Sequence, residues 1–228
     1  MKNQEFINKI APAAVEDMIN TSVLASITIA QAALESAWGQ SAPGNNLFGI
    51  KGSGTTQTTK EFINGEWVTI KAGFRSYQNW LGSIADHSKF LLENPRYRNA
   101  GFFDQCCARD YAGAANALQA AGYATDPQYA VKLIGIIESN RLQQFDQEAD
   151  NVMREIEDLK GQIQTLLNTA EAHIEKINVL ETKASMAVPA WAQNAVSAAV
   201  CSGLIDTPEG RSYDFYSMLT LFHRKGLI

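Results

Sequence analysis

The chain is poor in several residue types and patterns, and each shortage narrows what it can be. Three cysteines among 228 residues, Cys106 and Cys107 adjacent and Cys201 far away, form neither a CxxC pair nor a disulfide framework, and they read as reduced thiols. Histidine is as scarce: His87, His173 and His223 lie too far apart in sequence to suggest a ligand cluster, so neither a metal nor another cofactor is expected. The longest apolar stretch, Val23 to Leu34, is broken by Ser26, Thr28 and Gln31 and falls short of the ~18 residues of a membrane span. No transmembrane helix and no membrane partner are expected. Nor is any segment basic: residues 1–145 carry 12 acidic and 12 basic side chains, 146–185 carry 9 and 4, and 186–228 carry 3 and 3. The net charge of −5 therefore sits in the middle segment, and nucleic acid, which draws on phosphate-neutralising cations, is a poor partner. The start, Met1 to Lys9, has no apolar run before its next charge and no small-residue cleavage site, so it does not read as a secretory signal.

What is present suffices for a folded core: 46% hydrophobic residues, 19% charged and 9% aromatic argue against wholesale disorder. Prolines stand at 12, 43, 95, 127, 189 and 208, which leaves 128–188 free for a long helix. Between Asp146 and Ser185 the apolar residues follow a heptad, with Ala149, Ile156, Ile163, Ala170, Ile177 and Ala184 at a and Val152, Leu159, Leu166, His173 and Leu180 at d. The only glycine of that segment, Gly161, falls at the outward f position. This reads as a coiled coil some 50–60 Å long at ~1.5 Å per residue. Ile at a with Leu at d favours two parallel strands, whereas Met153, Leu167 and Ile174 at e widen the stripe and suit a larger bundle or packing on the first domain. Self-association is expected, its number open, with His173 either a layer defect or a pH-sensitive register device. Three parts result: 1–145, a mainly helical domain; 146–185, an oligomerisation helix; and 186–228, a small helical module.

Asn20-Thr21-Ser22 offers N-cap side chains, and Val23, Ile27, Ala30, Leu34 and Trp38 recur at helical spacing until Gly39, which predicts a buried helix. Thr28, Gln31 and Glu35 form a polar stripe on its flank. Glu35 stands near the helix C-terminus, whose partial negative charge disfavours a carboxylate, and Leu34 and Trp38 limit its hydration. Both effects favour the neutral acid, the form a general acid needs. The same spacing also suits an ordinary helical glutamate. Downstream, Thr55–Ile63 and Glu66–Ala72 are β-prone runs around Asn64-Gly65, a hairpin signal that sets Glu61 opposite Val68 on a projecting flap. Two turn segments, Asn94-Pro95-Arg96-Tyr97 and Gly122-Tyr123-Ala124-Thr125-Asp126-Pro127-Gln128-Tyr129, are rich in tyrosine, which suits stacking on sugar rings as well as core packing. Asp126-Pro127 reads as an N-cap followed by proline at N1.

These segments, Gln31-Ala32-Ala33-Leu34-Glu35-Ser36-Ala37-Trp38-Gly39, Asn45-Asn46-Leu47-Phe48-Gly49-Ile50-Lys51-Gly52, the hairpin, Phe74-Arg75-Ser76-Tyr77 and Gly122 to Pro127, resemble in order the peptidoglycan N-acetylglucosaminidases of glycoside hydrolase family 73 over about residues 3–145. The resemblance implies a mainly α, lysozyme-like helical domain with a β-hairpin lobe that cleaves the β-1,4 bond between N-acetylglucosamine and N-acetylmuramic acid. It would make Glu35 the catalytic acid, Glu61 the hairpin carboxylate with Glu66 a competitor, and Tyr123 an active-site aromatic, and would lay Trp38, Asn46 and Phe48 along the groove. Tyr97 and Tyr129 join them as candidate sugar contacts. The tail, from Trp191-Ala192-Gln193-Asn194-Ala195-Val196 to Tyr213-Asp214-Phe215-Tyr216-Ser217-Met218-Leu219, resembles short helical modules that end some clostridial and phage wall lysins. A phage endolysin, made in the host cytoplasm and acting on the wall after release, is the expectation. Two rivals stand beside it: a non-catalytic wall-binding or assembly protein, and an amidase or peptidase using Cys106 or Cys107 with His87.

Overall fold

The computed structural model describes residues 2–63 and 66–228, with the backbone alone at 57, 59–63, 66–68 and 70. It divides into two compact units, Met1–Glu157 and Asp158–Ile228. In the first, helix α1 (Asn3–Thr21) sets Phe6, Ile7, Ile10, Ala14 and Met18 on one buried stripe at helical spacing. Helix α2 (Ala25–Glu35) is buried on every side from Ala25 to Ala33 and forms the central rod of the unit. Its alanines and isoleucines let neighbours approach closely all round. Around it pack α1, α6 (Tyr111–Ala120) and α7 (Tyr129–Asn140), while α3 (Trp80–Glu93) lies on α1 and leads through α4 (Pro95–Asn99) to α5 (Phe102–Cys107). The mainly α expectation is met.

Two helix-end expectations are corrected. Asn20-Thr21-Ser22 does not start α2 but closes α1: Ser22 is left-handed, with φ 64°, and its amide donates to the Met18 carbonyl at 2.8 Å. The N-terminus of α2 is capped from afar, by the Asp146 carboxylate accepting the Ser26 amide at 2.8 Å. Sequence proximity cannot reveal a cap that arrives from another helix. The helix also ends at Glu35 instead of reaching Gly39, because Ser36 turns its hydroxyl back to the Ala32 carbonyl at 2.6 Å and accepts the Gly39 amide at 2.8 Å. Ala37, Trp38 and Gly39 then take left-handed backbone angles. A Cβ at Gly39 would meet Trp80 at 2.7 Å and Phe6 at 2.9 Å, so only glycine fits.

Strands β1 (Lys51–Ile63) and β2 (Glu66–Phe74) form an antiparallel hairpin, longer than expected, with an irregularity between Lys51 and Thr55. Glu61 lies opposite Val68, as the turn signal required. The Asn64-Gly65 turn itself lies outside the described residues. The hairpin's exit is tied to α3, where Asp86 accepts Arg75 Nη1 at 2.7 and 2.9 Å and the Tyr77 hydroxyl at 2.5 Å. A second tie, from the Ser88 hydroxyl to buried Asp17, joins α3 to α1.

Helix α8 (Gln143–Ala184) runs unbroken across the expected 145/146 boundary. Its first turns belong to the first unit: Asp146 and Ala149 are buried there, and Arg109 donates through Nε to both Asp150 carboxylate oxygens at 2.9 and 3.0 Å. The first heptad a residue thus fills the core. In the second unit, α9 (Gln193–Cys201) and α10 (Tyr213–Arg224) enclose a small core of Ala192, Ala195, Val196, Ala199, Tyr216 and Leu219. The Tyr216 hydroxyl donates to the Pro208 carbonyl at 2.5 Å, so the buried phenol pins the loop before α10.

Candidate active site

A cleft of about 820 Å³ opens in the first unit, where the end of α2, the 46–51 turn, the hairpin and the 122–126 loop converge. That is the size range of small-molecule sites. Glu35, Phe48, Tyr97, Tyr123 and Tyr129 all line it, and Thr58 and Phe74 bring the hairpin to its wall. With Asn46, six of the eight residues singled out from the sequence therefore come together here.

Asn46 also lines the cleft, but its amide is fully engaged. Nδ2 donates to the Ile50 and Arg75 carbonyls at 3.0 Å each, and Oδ1 accepts the Phe48 and Ile50 amides at 3.3 and 3.2 Å. It shapes the turn that presents Phe48. Trp38, expected along the groove, is not among the lining residues: it stands edge-on to Phe6, with centroids 6.0 Å apart, and backs the core. The left-handed turn after Glu35 carries it toward the core, as its apolar spacing predicted, and out of the groove that the resemblance implied. Glu61 sits on β1 with its backbone in the expected register, and its side chain lies outside the described residues, as does that of Glu66.

Glu35 is open to solvent through the cleft and is nonetheless crowded by protein on its other sides. Burial pushes its pKa up from 4.5 to about 7, against the lowering effect of a hydrogen bond from Tyr129. Asp126, the other carboxyl of the described lining, goes the opposite way: Lys132 and the Gln128 amide hold it below the usual range. One acid is protonated near neutrality while the other is ionised. Asp126 caps a turn, accepting the Gln128 amide at 2.9 Å, and α7 begins only at Tyr129, two residues later than its Asp-Pro signal suggested.

Behind Glu35 lies a buried polar chain. The Tyr129 hydroxyl is 2.9 Å from Glu35 Oε1 and 2.9 Å from Gln31 Nε2, and Gln31 Oε1 is 3.0 Å from His87 Nε2. Gln31 and His87 are fully buried, and Phe48 stacks on the His87 ring at 3.9 Å. The sequence signal for this chain was a glutamine four residues before Glu35, on the polar stripe that it shares with Thr28. The same geometry removes the thiol rival. Burial pushes the Cys106 thiol up to about 12, and Cys107 is exposed whereas His87 is fully buried and engaged by Gln31, so neither cysteine has the paired base that the rival needs. Among the described residues no cluster of His, Cys, Asp and Glu could hold a metal ion.

Residues 11–142, well over half of the chain, match the glucosaminidase family, described as mannosyl-glycoprotein endo-beta-N-acetylglucosaminidase. The chain belongs to this family. Among curated glucosaminidase relatives, it is 42% identical over 132 residues to the exo-glucosaminidase LytG of Bacillus subtilis, covering 55% of this chain and 47% of LytG. It is 41% identical over 141 residues to the peptidoglycan hydrolase FlgJ of Escherichia coli K12, covering 56% and 42%. The chain thus spans less than half the length of both. Among solved structures, the catalytic domain of the autolysin Auto from Listeria monocytogenes superposes with a TM-score of 0.54 at 37% identity, over 63% of this chain and 86% of that domain. The glucosaminidase match ends where α7 meets α8, so the cleft lies inside it and the heptad helix and tail lie beyond.

Proposed function

We propose that this chain is a peptidoglycan hydrolase that cleaves the β-1,4 bond on the reducing side of N-acetylglucosamine, with Glu35 as general acid. The observation that carries the reading is a carboxyl held protonated to about pH 7 on the wall of a tyrosine-lined cleft. Membership of the glucosaminidase family and the names of LytG and FlgJ support the substrate class. Glu35 gives its proton to the bridging oxygen as the C1–O bond breaks and oxocarbenium character develops at the N-acetylglucosamine C1. Water then adds to C1, either activated by Glu61 from the flap or after participation of the sugar's own acetamido group. Tyr123, the partly exposed ring of the group, offers a face to a sugar, backed by buried Tyr129 stacked on it at 5.7 Å and by Tyr97 at a centroid distance of 6.1 Å, while buried Phe48 shapes the wall.

Digestion of purified walls followed by fragment masses tests this reading. New reducing N-acetylglucosamine ends support it; reducing N-acetylmuramic acid ends reassign the bond, and free stem peptides on intact glycan overturn the glycosidase. Glu61→Gln separates the two water routes: retained turnover favours the acetamido group.

The same reading extends to self-association. In α8, Leu159, Ile163, Leu166, Ile177 and Leu180 are each more than half exposed, an apolar seam that a second copy of the helix would cover. Burying such a side chain contributes roughly 1.5–3 kcal/mol. In a parallel pair the g-to-e contacts bring Glu155 to Lys160 of the partner subunit and Lys176 to Glu181 of the partner subunit, opposite charges both times. The tail is proposed as a wall-binding module carried by that assembly.

A further inference from the structure

The chain His87, Gln31, Tyr129, Glu35 can be ordered in two ways, and they differ in where the proton of Glu35 sits. The His87 ring is fully buried and pushed down to about 3 by that burial, so it is neutral and carries one proton on one of two nitrogens. The charged group that acts on it, Asp86, is already bound by Arg75 and Tyr77. Nε2 faces Gln31 Oε1 at 3.0 Å, whereas Nδ1 meets no hydrogen-bond partner among the described residues.

In the first order the proton is on Nε2. His87 donates to Gln31 Oε1, Gln31 Nε2 donates to the Tyr129 oxygen, and the Tyr129 proton is left to point at Glu35 Oε1. In the second order the proton is on Nδ1, the Gln31 amide is reversed, Tyr129 donates to Gln31, and its oxygen accepts from Glu35. That order buries an N–H with no acceptor, whereas the first leaves only an unused lone pair. Orphaned buried N–H groups are much the rarer of the two in folded proteins.

We propose that Gln31 and His87 are positioning residues that fix the first order, so that Tyr129 always donates to Glu35 Oε1 and the transferable proton rides on Oε2. Oε2 makes no hydrogen bond among the described residues, and so it is free to meet a glycosidic oxygen. In the second order the proton would be locked in the bond to Tyr129. The inference rests on the reading of Glu35 as general acid. In that step the Oε2 proton passes to the leaving oxygen and the C1–O electron pair stays with that oxygen. The carboxylate that results already has a donor aimed at Oε1, and water added to C1 returns a proton. A donor in place before charge develops needs no reorganisation.

The direct test is 15N NMR of the imidazole in the intact wild-type protein. A protonated Nε2 with a bare Nδ1 is expected, and a protonated Nδ1 overturns the proposal without any variant. The second test is kinetic. Gln31→Met is expected to lower kcat about tenfold at unchanged KM, the scale of one hydrogen bond to a charged group. It is also expected to raise the basic limb of the pH profile, and to add nothing to Tyr129→Phe, because it acts through that hydroxyl. Multiplicative losses in the double variant, or an unmoved pH profile, overturn it. His87→Gln, which keeps an N–H toward Gln31, should retain more turnover than His87→Phe, and equal losses count against the order. Carboxyl 13C titration of Glu35 separates the two layers of argument. If Glu35→Gln stays active while the Glu35 titration rises in Tyr129→Phe and Gln31→Met, the catalytic reading falls and the hydrogen-bond order stands.

Discussion

At the residue scale, Glu35 combines access to the cleft with a surrounding that resists its ionisation, and both activity and stability should record that. Wall clearing is expected to fall as pH rises through about 7, since the acid is then lost. Glu35→Gln should reduce clearing by at least about a hundredfold, the usual contribution of a positioned acid, and unchanged turbidity loss would remove the role. Stability carries its own sign. A carboxyl whose folded pKa is raised binds more protons folded than unfolded, so wild type loses stability between its ordinary 4.5 and about 7. Thermal melts of Glu35→Gln should therefore gain on wild type as pH climbs through that window and hold their lead above it. A constant difference from pH 4 to 8 would contradict the raised titration. Asp17, pushed up to about 6 by burial, contributes a loss of the same sign to both proteins and cancels in the comparison.

At the element scale, α2 depends on a cap that local sequence does not supply. Asp146→Ala removes the acceptor of the Ser26 amide and should cost about 1–2 kcal/mol, a melting decrease of roughly 2–8 °C. Melting within a degree of wild type would show the cap to be dispensable. For α8, the heptad was legible from spacing, yet its start was not: Ala149 satisfies both the a position of a seam and the small-residue needs of a core, and only packing chooses. The hairpin was legible too, since the Asn-Gly signal in the sequence predicts a register and Glu61 falls opposite Val68 as that register requires. The groove position of Trp38 came from the resemblance, and it fails because Ser36 turns the chain right after Glu35 and sets the indole against Phe6 of the core.

At the scale of the whole molecule, the exposed seam of α8 predicts that the intact chain is larger in solution than a 1–157 fragment. Light scattering on the two should give an oligomer and a monomer, and equal monomeric masses would defeat the seam. Ending the fragment at 145 instead should lower its melting temperature, because Asp146 and the Arg109–Asp150 pair leave with the helix. If the tail binds walls, its balance of 3 acidic and 3 basic side chains predicts only a modest weakening with added salt, and a steep loss would point to charge-driven adhesion.

Composition and periodicity determined the mainly helical class, the hairpin register and the long heptad helix, because each is written in residues a few positions apart, and the order of motifs along the first domain determined the family. Tertiary structure decided the rest. The cap on α2 spans 120 residues, and the chain from His87 through Gln31 and Tyr129 to Glu35 draws on three helices. The desolvation that keeps Glu35 protonated depends on atoms from all around the cleft. Local spacing could nominate the acid, but its proton is held by neighbours that only folding brings together.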